Sequence, residues 1–315
     1  MSIILTKIAI IFSMAGVGFI ANKAKVLPSE SNGHLIALLM NVTTPCMLIT
    51  SITGKTLTAG TFTATLEVLA GTMVFFLVGM GLSLLIVRLL RISPTDQGVC
   101  MCVLTSVNTG FMGFPITKAA FGNEALFFMV ISNIVLNIYL YSLALMQLNM
   151  GGEKRGRRGL KKTLKPILNG CSLASIIGII MLFAGLRLPS FFNELLTDIG
   201  NITVPLSMIV VGVQLGSSKI TRVIRNGKLI LIALIAQIIW PALTFLAVNW
   251  LPLQQMSKLI LTYGAAFPTA VIVVALAAKE QKNSQLAAEG VAMTTLFSMV
   301  TLPLATMFLS AHFQV

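Results

Sequence analysis

Apolar residues fall along this chain in runs of about 20, the length a helix needs to cross the hydrocarbon core of a bilayer. Ten such runs are legible, near 3–21, 33–52, 64–88, 98–117, 124–148, 167–186, 196–215, 228–250, 258–277 and 288–310. Short polar stretches separate them, and the longest runs only from Asn149 to Lys165. The pattern predicts an all-α polytopic membrane protein and leaves no room for a soluble catalytic domain.

The runs correspond in two sets of five. Asn41-Val42-Thr43-Thr44-Pro45 in the second run returns as Asn201-Ile202-Thr203-Val204-Pro205 in the seventh. The fourth and ninth each carry a Phe-Pro pair, Phe114-Pro115 and Phe267-Pro268. An odd number of crossings per half sends the second copy through the membrane upside down. That predicts ten transmembrane helices as a 5+5 inverted repeat, with a site where the halves meet. The expected organisation is 1–148 for the first repeat, 149–166 for a basic linker and 167–315 for the second repeat.

Composition agrees with this pattern. Of 315 residues, 56% are hydrophobic and 10% charged, with mean hydropathy +0.94. A soluble domain carries about 25% charged residues, so lipid is the expected solvent. The net charge of +13 gives orientation rather than a nucleic-acid footprint. The odd-numbered loops hold 17 Lys and Arg residues, concentrated from Lys154 to Lys165, whereas the even loops hold only Lys55, Lys118, Arg187 and Lys258. The positive-inside rule then puts the basic loops in the cytoplasm and both termini outside, in a plasma or inner membrane. The first run has its lysines after it, at Lys23 and Lys25, so it reads as a retained span rather than a signal peptide.

Cys46, Cys100, Cys102 and Cys171 have no metal-ligand spacing and read as packing residues. His34 and His312 lie at opposite ends of the chain. No metal, cofactor or catalytic set is expected.

The densest unusual chemistry lies in the fourth run, Thr105-Ser106-Val107-Asn108-Thr109-Gly110-Phe111-Met112-Gly113-Phe114-Pro115. Two glycines and a proline within six residues break a helix. Unwound backbone at membrane depth is tolerated only where protein buries it or it lines a wet cavity. The ninth run echoes it with Tyr263, Gly264, Ala265, Ala266, Phe267, Pro268 and Thr269. If both segments unwind and cross, two half-helix N-termini face one point and form an anion site from backbone dipoles alone. No Asp or Glu lies in the middle of any run, so amides and hydroxyls must supply the polar lining. The candidates are Asn108, Thr109, Gly110, Phe111, Met112, Pro115, Asn133, Asn137, Tyr263, Ala266, Phe267, Pro268, Thr269, Thr294 and Ser298. Asn41, Pro45, Asn201 and Pro205 are candidates for a pathway on the opposite wall.

The phrase Asn108-Thr109-x-x-Met112-Gly113-x-Pro115 resembles the crossover signature of the auxin efflux carrier family. The second-run Asn-x-x-x-Pro phrase, Ala266 to Ala270, and the stretch from Met293-Thr294-Thr295-Leu296 to Leu302-Pro303 are similar to it as well. The resemblance implies a fold like the bile-acid symporters and sodium/proton antiporters. Spans 1, 2, 6 and 7 would form a scaffold, often dimeric, and spans 3–5 and 8–10 a mobile, elevator-type domain. It also implies carboxylate substrates such as auxin, malate or malonate. The expectation is a secondary transporter for small organic anions, with an anion channel or pore, or a sodium- or proton-coupled symporter of the same fold, as alternatives. An intramembrane enzyme would need clustered acids or a Ser/His set that this chain does not offer.

Overall fold

The computed structural model describes residues 2–55, 58–150, 170–218 and 226–313. The basic stretch from Lys154 to Lys165 lies outside them, as do Lys219, Arg222 and Arg225. The first expected repeat contains α1 (Ser2–Lys23), α2 (Ser31–Leu38), α3 (Thr44–Thr53), α4 (Ala59–Leu89), α5 (Pro94–Thr105), α6 (Phe114–Tyr141) and α7 (Leu143–Leu148). The second contains α8 (Gly170–Phe183), α9 (Ser190–Asn201), α10 (Thr203–Ser217), α11 (Gly227–Leu234), α12 (Trp240–Asn249), α13 (Gln255–Ala265), α14 (Ile272–Lys279) and α15 (Ser284–Phe313). A single antiparallel bridge, Val107 to Thr269, is the β pairing among the described residues.

Prolines explain much of the irregularity. Single π turns at Leu39–Thr43, Thr109–Gly113 and Ile235–Ile239 precede Thr44-Pro45, Phe114-Pro115 and Trp240-Pro241. A proline offers no N–H to the preceding turn and its ring crowds the carbonyl four residues back. Widening that turn by one residue relieves both problems. The two Asn-x-Thr-x-Pro phrases absorb their prolines differently. The first lies across the π turn at Leu39–Thr43, while the second straddles a one-residue interruption at Ile202. Neither opens into an extended stretch.

Among the described residues, six helical stretches are long and apolar enough to cross a membrane: Ser31–Thr53, Ala59–Leu89, Thr109–Leu148, Ser190–Ser217, Gly227–Asn249 and Ser284–Phe313. Ala9–Lys23 and Gly170–Phe183 are shorter apolar helices. Thr109–Leu148 is interrupted at Gly122, whose φ of +80° favours a residue without a Cβ. Gly122 thus marks the junction between the fourth and fifth expected spans. The expected fourth and ninth spans are not continuous helices: α5 stops at Thr105 and α13 at Ala265.

Packing pairs the halves reciprocally. A Cβ on Gly18 would lie 2.2 Å from the Ile209 carbonyl oxygen, and one on Gly212 2.0 Å from that of Ala15. Small residues thus let the backbones of α1 and α10 touch. In the same way α8 and α9 pack on α3, with Gly178 against Ile52 and Gly200 against Met47. In the remaining helices, α13 packs on α4, α6 and α12, and α15 on α5, α11 and α14.

The surface is inverted relative to a water-soluble protein. Leu66, Val74, Leu77, Ile180, Leu246, Val300 and Phe308 are exposed, whereas Thr105, Asn108, Gln147, Gln237, Thr294 and Ser298 are buried. Apolar surface faces outward and polar groups face one another inside, as lipid solvation requires.

Candidate functional site

The two interrupted helices meet at their breaks. The Asn108 N–H donates to the Pro268 carbonyl at 2.7 Å, and the Ala270 N–H donates to that of Ser106 at 2.6 Å. These bonds satisfy backbone groups that neither broken helix can satisfy alone. They join segments about 160 residues apart in an antiparallel crossing, so the half-helices that follow run in opposite directions.

Asn108 stands at the centre. Its Oδ1 accepts the Phe111 N–H at 3.1 Å, capping the turn that begins at Thr109, and its carbonyl accepts the Gly113 N–H at 3.0 Å. The cap leaves the N–H groups of Thr109 and Gly110 without intrahelical acceptors, as at any helix start. Asn133 Nδ2 donates to Thr109 Oγ1 at 2.7 Å, and Asn137 Nδ2 donates to Asn133 Oδ1 and to the Asn133 carbonyl, each at 2.9 Å. α6 thus braces the half-helix through a chain of amides. The Nδ2 of Asn108 and the Oδ1 of Asn137 remain without partners among the described residues.

These groups border a cavity of about 300 Å³. Asn108, Gly110, Phe111, Asn133 and Asn137 line it, together with Val271 and Ile272 at the start of α14. The first turns of both half-helices therefore face the same space. Ile36, Met40 and Thr44 form the opposite wall with Cys171, and Leu140, Tyr141 and Ala275 extend the lining away from the crossing. Among the described residues, the lining contains no charged side chain. Any preference for an anion there must come from amide N–H groups and helix dipoles.

Other expected site residues lie behind the crossing. Met112 is buried in the core, and Pro115 opens α6 while the preceding Phe114 lines the cavity. Tyr263 is fully buried, hydrogen-bonded to Thr306 at 2.7 Å and edge-on to Phe121 and Phe267. Ala266 is buried beside it. The Phe267 carbonyl accepts from Gln237 Nε2 at 3.3 Å, and Gln237 Oε1 accepts from Thr301. Thr269 donates its N–H to Thr294 Oγ1 at 3.1 Å and its hydroxyl to the Val103 carbonyl at 2.7 Å. Thr294 and Ser298 donate to carbonyls of their own helix. This set, with Pro268, braces the second break from outside the cavity lining.

The four residues of the repeated phrases also sit apart from that lining. Asn41 Nδ2 donates to the Ala37 carbonyl at 2.9 Å, and Asn201 Oδ1 accepts from Lys118 Nζ at 3.5 Å. Pro45 and Pro205 lie partly buried in α3 and α10. The sequence reading missed Met40, Thr44 and Cys171 on the opposite wall. Residue type offered no signal, because their position follows from α3 and α8 packing on one another and on the π turn at Leu39–Thr43.

An all-helical chain with an apolar exterior, buried polar residues and two helix breaks meeting beside a neutral cavity has the features of a polytopic membrane transport protein. The profile of the family described as "Membrane transport protein" matches residues 3–306, and the chain belongs to that family, the auxin efflux carrier family. It is similar to an uncharacterized transporter of Methanocaldococcus jannaschii, 25% identical over 217 residues covering 66% of this chain and 68% of the relative. It is also similar to an uncharacterized transporter of Methanothermobacter thermautotrophicus, 22% identical over 289 residues covering 91% and 92%.

Proposed function

We propose that this chain is a secondary carrier for small organic anions of the carboxylate class, working by alternating access. One observation carries the reading: two oppositely directed half-helix starts and the Asn108–Asn133–Asn137 amides border a single neutral cavity. Such a space stabilises an anion by donors and dipoles, without a fixed charge that would hold it too tightly to release. At about 300 Å³ the cavity is at the small end of ligand pockets, which suits a compact acid.

The reciprocal packing of α1 on α10 and of α8 on α3 supports reading ten spans as an inverted repeat. In that reading α1–α3 and α8–α10 form a scaffold that dimerises in the plasma or inner membrane. The helices carrying the crossing slide against it in an elevator motion. The cavity, between the crossing and the α2–α3 and α8 wall, lies at the boundary such sliding would need.

The test is counterflow in proteoliposomes with labelled acetate, malonate, malate and indole-3-acetate. Saturable exchange of one or more acids supports the carrier. A non-saturating flux that persists without exchangeable substrate would instead mark a pore, and no flux above empty liposomes overturns the reading.

A further inference from the structure

Beyond the neutral cavity lies a charge that the proposed function has not used. Lys118 follows Phe111 by seven residues and Phe114 by four, which places it on the same helix face as those two cavity-lining rings. Its half-helix leaves the crossing in the direction opposite to α14, whose Ala275 lines the cavity on the other side. Lys118 therefore stands at the end away from Ala275. It is partly buried, and its Nζ reaches Asn201 Oδ1 at 3.5 Å. No carboxylate pairs with it among the described residues, whereas Lys55 is neutralised by Glu124 at 2.9 Å.

Lys118 lies four residues before the break at Gly122, at the end of the fourth expected span, where a lysine can keep its ammonium at the interface. Lys118, partly buried, reaches the exposed Asn201 of the repeated phrase at the end of α9. The Asn201 amide uses its oxygen on the lysine and makes no donor bond among the described residues, so both groups can donate to one carboxylate.

Resting on the carrier reading, we infer that Lys118 and Asn201 form a second anion site, which takes the substrate carboxylate at the end of the path away from Ala275. Lys118 is the charge-reading residue of that site. The amide site at the crossing holds the acid without a fixed charge, and the lysine selects acids over neutral molecules at the opposite face.

The experiment is zero-trans uptake of labelled acetate, malonate, malate and indole-3-acetate, measured from each face in oriented proteoliposomes. It compares wild type with Lys118→Gln, Lys118→Met and Lys118→Arg, using the matching neutral amides as competitors. Removing a charged donor should raise KM about tenfold or more from one face only, with kcat little changed. The two neutral variants should admit the amide as a competitor from that face, and Lys118→Arg should stay near wild type. A structural role would lower transport from both faces alike. Equal KM for wild type and both neutral variants from either face overturns the lysine site and leaves the carrier standing. A wild type that moves none of the acids overturns both. If Lys118→Gln misfolds, as judged by gel filtration and thermal unfolding, Lys118→Met decides, and failure of both neutral variants to fold makes the residue structural and overturns the site.

Discussion

The backbone N–H of Asn108 and the carbonyl of Pro268 meet at 2.7 Å, so the residue that caps one half-helix also ties down the break in the other broken helix. A change at Asn108 therefore acts on both sides of the crossing, and its effects can be separated by the choice of substituent. Asn108→Ala removes the side-chain cap, worth about 1 kcal/mol, together with the unpartnered Nδ2. Asn108→Ser keeps a capping oxygen but not the amide donor. The alanine variant should unfold at lower temperature and lose affinity about ten- to hundredfold. The serine variant should regain the unfolding temperature and not the affinity, which a thermal scan and a KM measurement on the same preparation would check.

Pro115 and Pro268 are expected to matter more for transport than for folding. Replacing Pro115 with Ala returns an N–H to the turn that widens at Thr109–Gly113 and lets it tighten to an ordinary α turn. The first donors facing the cavity then shift. Pro268→Ala frees the second break to extend α13. Each variant should reach the membrane in near wild-type amount yet exchange substrate several-fold more slowly. Normal exchange by both would show that the prolines are incidental.

Gln237 is a positioning residue. Its amide fills the carbonyl of Phe267 at the break while Thr301 fills its oxygen. Gln237→Leu leaves that buried carbonyl unsatisfied, at a cost of about 1–3 kcal/mol. Thr301→Val should cost less, because the Gln237 bond to Phe267 survives. Unfolding in detergent should rank wild type, Thr301→Val and Gln237→Leu in falling order.

Lys55 and Glu124 pair at 2.9 Å between the connection after α3 and the residues just past Gly122. If the crossing slides against the scaffold, this pair must separate in each cycle. Cysteines at both positions, joined by a bifunctional thiol reagent in an otherwise cysteine-free background, should stop exchange, and cleaving the linker should restore it. Unimpeded exchange by the linked protein would mean that the two segments do not move apart.

Among the described residues no acidic side chain lines the cavity, and this bears on energetics. An anion moved without a coupling cation carries its charge through the membrane potential, worth about 2.3 kcal/mol per charge per 100 mV. An imposed potential alone should drive net flux toward the positive side. Accumulation driven by a sodium gradient at zero potential would instead require a sodium site built from carbonyls.

Much of this site was legible because helix-breaking chemistry is local. Asn108, Gly110, Gly113 and Pro115 announce a break by composition alone, and Asn133 and Asn137 announce a polar face by spacing. What composition could not supply was which side of the break faces the cavity. Tyr263 and Thr269 have the composition of site residues, yet Thr306 and Val103 hold them in the packing behind it. Cys171, which reads as a packing residue, touches Met40 in the π turn after α2, and the two close the opposite wall. Such placements depend on neighbours 43 to 166 residues away.

The exchanged bonds at the breaks also bear on how such a chain can be divided. Ser106 and Asn108 find their backbone partners at Ala270 and Pro268, respectively, so neither half of the polypeptide can complete its own crossing. A half made alone would leave an amide and a carbonyl stranded in hydrocarbon. Two fragments severed between Met150 and Gly170 and expressed together have a strong reason to find each other. In the inverted-repeat reading proposed above, a single repeat would have needed a partner copy before the two were joined.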